Sequence, residues 1–83
     1  MRIVDTIPHA EFRISILKMN DKWLLRIEAG PYEQVYKFTT EMAANPDEIK
    51  LLANPEFLEQ VKTQFDAMHA VFLPAVRGLK GKL

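Results

Sequence analysis

The stretch from Asn54 to Leu79, NPEFLEQVKTQFDAMHAVFLPAVRGL, decides the fold, because its apolar residues repeat with a helical period and form a face that a small domain must cover. Leu58, Val61, Phe65, Met68, Phe72, Ala75 and Leu79 follow one another at alternating steps of three and four, which stacks them on one stripe of an α-helix. Asn54 is a favoured N-cap. Pro55 suits the first helical position, where no amide partner is lost, and Glu56 suits the positive end of the helix dipole. Pro74 has no amide to offer the carbonyl of Ala70, so a kink or a stop is expected there.

The width of the stripe matters more than its length. Up to Met68 it spans about a quarter to a third of the circumference, which one sheet face can cover. From Val71 to Val76 it widens to roughly half the circumference or more, because Val71 and Leu73 fall on opposite flanks of Phe72. One sheet face cannot cover that. Phe65, Met68, Val71, Phe72, Leu73 and Val76 are therefore the expected contact with a second copy of the chain, burial within its own fold being the alternative.

Length sharpens this expectation. The 83 residues make a single domain, 1–83, and a chain this short buries only about 60 to 65% of its unfolded surface. With no cysteine, neither disulfides nor thiolate metal sites can staple it, which leaves self-association as the common remaining device. Eleven basic and eleven acidic side chains cancel, so net charge does not steer the chain towards nucleic acid or membrane. Locally the charges are uneven, with Arg77, Lys80 and Lys82 forming a basic tail that suits the negative end of a helix. Met1 leads directly into Arg2-Ile3-Val4-Asp5 without an apolar leader, and no apolar run is long enough to span a bilayer. A cytoplasmic location is the resulting expectation.

Upstream of the helix the period changes from helical to alternating. Ile3, Val4 and Ile7 suggest a short strand that Pro8 ends, and from Ala10 onward Ala10, Phe12, Ile14 and Ile16 alternate with Glu11, Arg13 and Ser15. Asn20-Asp21 makes a two-residue turn into a strand over Lys22–Ala29, and Gly30-Pro31 breaks the chain before a fourth strand over Tyr32–Thr39. With Met19 opposite Lys22, Ile16 meets Leu25, Ile14 meets Ile27 and Arg13 meets Glu28. Across the second turn Leu25 falls beside Tyr36 and Trp23 beside Phe38. Glu28 falls beside Glu33, which is unfavourable unless Arg26 or Lys37 screens the pair. A short helix then begins at Asn45-Pro46, with Ile49, Leu52 and Ala53 as its apolar side, and ends before Asn54-Pro55.

Chemistry-bearing constellations are sparse. Asp66 and His69 stand three apart on the helix, but a metal site needs further ligands. Ser15 has no nucleophile-elbow pattern around it, and the three glycines form no phosphate loop. No catalytic, cofactor-binding or metal-binding residue is assigned, and the chain is expected not to be an enzyme. Phe12, Trp23, Tyr36 and Phe38 share one sheet face, where they suit a core beneath the long helix better than a stacking platform for bases. The opposite face then becomes the candidate surface for a nucleic acid or a partner: Arg13, Arg26 and Lys37 interspersed with Leu17, Leu24 and Val35.

This element order, four antiparallel strands and then a long helix whose far end calls for a partner, resembles the β4-α unit shared by the transcriptional coactivator PC4, the plant Whirly regulators and Pur-alpha domains. That resemblance implies a homodimer interlocked through its helices, with single-stranded nucleic acid bound on the sheets. The expectation is thus an α+β domain, a four-stranded antiparallel meander followed by a short helix and a long C-terminal helix, acting as a non-enzymatic homodimeric binding module. Its ligand is single-stranded nucleic acid or another protein.

Overall fold

A computed structural model describes residues 2–81. The four strands β1 (Arg2–Ile7), β2 (Arg13–Met19), β3 (Lys22–Ala29) and β4 (Tyr32–Phe38) form one antiparallel sheet in the order β1-β2-β3-β4. The helices α1 (Pro46–Leu52) and α2 (Pro55–Gly81) follow, giving an α+β fold. The expected register holds, with Ile16 opposite Leu25, Ile14 opposite Ile27, Leu25 opposite Tyr36 and Trp23 opposite Phe38. A two-residue turn serves each hairpin of β2–β3–β4. Asn20 takes the left-handed backbone at φ +57° in the first, and Gly30 takes it at φ +59° in the second, ahead of Pro31.

Two details depart from simple alternation. Ala10 does not begin β2, as the pattern suggested: the strand starts at Arg13 because the His9 ring closes a turn first. His9 Nδ1 accepts the amides of Glu11 at 3.0 Å and Phe12 at 3.2 Å, and its ring stacks on Phe12 with centroids 4.7 Å apart. In β1 the register shifts between Ile3 and Asp5, a bulge at Val4. Ile3 therefore lies opposite Leu17 on the outer face, while Asp5 and Ile7 lie opposite Ile16 and Ile14 on the inner one.

The core fills the space between the inner face and the two helices. Ile14, Ile16, Leu25, Ile27 and Phe38 meet Ile49 and Ala53 from the α1 region and Leu58, Val61 and Phe65 from α2. The inner-face aromatics belong to this core: Tyr36 meets Phe57 edge-on at 5.5 Å, and Phe12 meets Phe65 at 5.5 Å. Leu52, expected with Ile49 on the buried side of α1, is exposed instead, as are Leu51 and Met42. Ala53 takes the inward place.

Both helix starts are capped as their sequences suggest. Asn45 Oδ1 accepts the Glu48 amide at 3.1 Å, and Glu48 Oε2 accepts the Ala44 amide at 2.6 Å. Asn54 Oδ1 accepts the Phe57 amide at 2.9 Å. The stop considered at Pro74 does not occur, because α2 runs on through it as a helix of 27 residues. At 1.5 Å per residue such a helix is about 40 Å long, whereas strands of this length reach only about 20 to 27 Å. The helix overhangs the sheet. The radius of gyration is accordingly 15.2 Å, against about 12 Å for a compact domain of this size.

Candidate interaction surfaces

The first surface is the overhanging half of α2. Going along the helix, Phe57 packs on Tyr36, the Val61 carbonyl accepts from Gln34 Nε2 at 3.0 Å, and Phe65 packs on Phe12. Tyr32 then makes the final ties: its hydroxyl lies 2.6 Å from His69 Nδ1, and its ring meets Phe72 edge-on at 5.8 Å. Beyond Phe72 the same stripe continues without a sheet beneath it. Val71 is 75% exposed, Phe72 49% and Leu79 64%, with Leu73 and Val76 half-buried between them.

Of the residues expected to meet a second copy, Val71, Phe72, Leu73 and Val76 lie on this overhang, and Met68 stands half-buried where it begins. Phe65 does not belong with them. It is 5% exposed, enclosed by its own chain beneath Phe12, because the sheet still lies under the helix at that point.

The second surface is the outer face of the sheet. Arg13, Arg26 and Lys37 do share it with Leu17, Leu24 and Val35, since Arg26 pairs with Ser15 and Val35, and Leu24 with Leu17 and Lys37. A shallow groove of about 240 Å³ runs among Leu17, Met19, Leu24, Val35 and Lys37. Its floor is largely covered already: Leu17 and Leu24 are each 4% exposed, while Val35 stands out at 44%.

Charge on this face is more balanced than three basic residues suggest. Arg26 Nε lies 3.0 Å from Glu28 Oε1, although its N–H has no acceptor in line, so the contact is charge attraction without an aligned hydrogen bond. Glu28 also stands opposite Arg13, and Glu33 stands opposite Glu28. The unfavourable Glu28–Glu33 pairing is thus offset by Arg26, and Arg13, Lys22 and Lys37 stand exposed on this face.

A third feature is a cleft of about 540 Å³ between the β1–β2 connection and the start of α2, lined by Ile7, Pro8, Phe12, Pro55 and Leu58. Lys62 and Glu11 pair at 3.6 Å on its rim. Asp66 and His69, weighed together from their spacing, part company, because His69 turns to Tyr32. Among the described residues no group of three metal-ligating side chains converges, and no helix is long and apolar enough to cross a membrane. Lys82 of the basic tail lies outside the described residues.

Comparison with protein families, with characterised proteins and with solved structures finds no match for this chain. The likeness to the β4-α unit therefore rests on element order alone.

Proposed function

We propose that this chain is a non-enzymatic binding module that works as a homodimer, joined through the overhanging half of α2. One observation carries the reading. The stripe that covers the sheet with Leu58, Val61 and Phe65 continues through Phe72, Val76 and Leu79, where Phe72 meets the edge of Tyr32 and Phe72 and Leu79 stay exposed. An apolar strip of this kind is a poor surface to leave in water. A second copy presents an equal strip, and pairing the two removes both from solvent.

Dimerisation leaves the outer faces of two sheets for a ligand, and a protein partner fits that face best. Its apolar groove is rimmed by both signs of charge, Lys37 and Arg26 with Glu33, as a mixed protein contact requires. Single-stranded nucleic acid is the second reading, favoured by Arg13 and Lys37 standing exposed on one face. Salt separates the two, since phosphate contacts weaken steeply as ionic strength rises and an apolar contact does not.

The test is solution mass by light scattering on the wild-type chain and on Phe72→Asp, with circular dichroism to confirm that each is folded. A wild-type dimer that the substitution dissociates supports the reading. A folded wild-type monomer at micromolar concentration contradicts it.

A further inference from the structure

The overhang of α2 carries charge in a pattern that specifies how two copies meet. On a helix advancing about 100° per residue, Asp66, His69, Leu73, Arg77 and Lys80 fall on one flank of the stripe formed by Phe72, Val76 and Leu79. Asp66 and Lys80 stand seven residues to either side of Leu73, and His69 and Arg77 four to either side. Asp66, Arg77 and Lys80 are exposed, and none of them joins an ion pair among the described residues. The acid lies at the sheet end of the overhang and the bases at its tip.

From this we infer that the two α2 helices pair antiparallel about a two-fold axis near Leu73, each Asp66 facing Lys80 and Arg77 of the other copy. The inference rests on the reading of the chain as a self-associating module and adds the partner's orientation and register. In an antiparallel pair the same flank of each helix meets its counterpart running the other way, and two-fold symmetry makes every contact occur twice. Asp66 then meets bases at both ends of the contact. In a parallel pairing this flank meets the opposite flank of the partner, which carries Ala67, Val71, Ala75 and Gly78 and no charge, so Asp66, Arg77 and Lys80 are left without partners there. Apolar surface alone does not choose between the two arrangements. The charges do.

Antiparallel pairing also agrees with the shape of the chain. The overhang extends beyond the end of the sheet where Tyr32 and Phe12 lie, so two copies meeting head-on can lay these halves side by side with their sheets at opposite ends. The apolar strip of each overhang then lies against that of the other.

Charge reversal tests the register. Asp66→Lys alone, and Arg77→Glu with Lys80→Glu, each turn two symmetric attractions into repulsions. Each is expected to weaken the homodimer about tenfold or more at low ionic strength. Mixing the two variants restores complementary charges on both sides of one heterodimer, which should form in preference to either homodimer. Because the chain has no cysteine, single-cysteine variants report geometry directly. Leu73→Cys should cross-link on mild oxidation. Leu79→Cys, on the apolar stripe, should not, since antiparallel pairing separates the two copies of that position by about 18 Å along the axis, whereas a parallel pair brings them together.

Three outcomes are distinguishable. Weakened homodimers with a preferred mixed dimer and a Leu73→Cys cross-link support the antiparallel register. A stable wild-type dimer that ignores the charge reversals, or that cross-links equally at Leu79→Cys, overturns the register and leaves the self-associating module standing. A monomeric wild-type chain overturns both.

Discussion

The Tyr32 hydroxyl lies 2.6 Å from His69 Nδ1, and this contact marks where α2 parts from the sheet. N-terminal to it, every third or fourth residue of the helix meets an inner-face side chain. C-terminal to it, Phe72 meets the edge of the same tyrosine and is 49% exposed. Tyr32, at the start of β4, therefore ties the helix at the point where its free half begins.

Replacing that hydroxyl tests its role. Tyr32→Phe keeps the ring against His69 and Phe72 and removes only the polar tie. The expected loss of global stability is about 1 kcal/mol or less, because the pair is open to water. Hydrogen exchange is the sharper measurement. Amides beyond His69 should exchange faster while those from Leu58 to Phe65 keep their protection, and a uniform change along the helix would remove the tyrosine from its proposed role.

Pro74 offers a second measurement on the same segment. Helix α2 runs through it, so the Ala70 carbonyl lacks its usual amide and the ring crowds the preceding turn. Pro74→Ala returns the missing hydrogen bond and is expected to stabilise the chain by roughly 1 to 3 kcal/mol. The helical dichroism signal and the urea midpoint should rise together. A fall in stability would mean that the proline shapes a bend on which the contact between copies depends.

Most of the sheet is legible in the sequence, because turn chemistry at Asn20-Asp21 and Gly30-Pro31 and the alternation of Ile14, Ile16, Leu25 and Ile27 all demand one register. The caps at Asn45 and Asn54 were legible for a similar reason, since side chain, proline and acid agree at each. Pieces that depend on a single side chain reaching out of its own element were not. His9 capping its own turn, and Tyr32 clasping His69, leave no periodic trace in the sequence. Gln34 did leave one. It occupies an inner-face position opposite Ile27, where a polar residue needs a partner, and it finds the Tyr36 hydroxyl and the Val61 carbonyl. The two surfaces were legible to different degrees. The apolar surplus near the end of α2 follows from counting residues around one helix, although the kink or stop expected at Pro74 hid its length, whereas the burial of Leu17 and Leu24 on the outer face does not follow from alternation.

The short helix gives a contrast between neighbours. Ile49 is fully enclosed in the core, and Leu51, two residues on, is among the most exposed apolar side chains of the chain. Ile49→Ala is expected to cost about 2 to 5 kcal/mol through the cavity it leaves. That is a large part of the stability of so small a domain. Leu51→Ala should stay within about 0.5 kcal/mol of wild type. Denaturant unfolding of the two variants side by side checks this. A substantial loss for Leu51→Ala would show that the outer side of α1 is covered in solution, and would direct attention to the patch it forms with Leu52 and Met42.

The tie between α1 and the edge of the sheet should make stability depend on pH at both extremes. Lys50 donates to Asp5, and this hydrogen bond, with a further one from the Thr6 amide at 2.8 Å, holds the Asp5 carboxyl below its ordinary value of 3.8. The same contact raises the Lys50 ammonium above its ordinary 10.5. A depressed carboxylate contributes fully above its unfolded value and loses that contribution as pH falls through the folded one, so the acid loss from this pair lies below 3.8. A raised ammonium contributes fully below its unfolded value and loses it as pH rises through the folded one, so the alkaline loss lies above 10.5. Between these limits the pair contributes a constant and modest amount, since both groups are open to solvent. Lys50→Met should therefore lower stability slightly at neutral pH and flatten both limbs, and denaturant midpoints across the pH range measure it. If both limbs keep their full slope in that variant, other groups govern them, and the hold of α1 on β1 rests on apolar contacts such as Ile49 in the core.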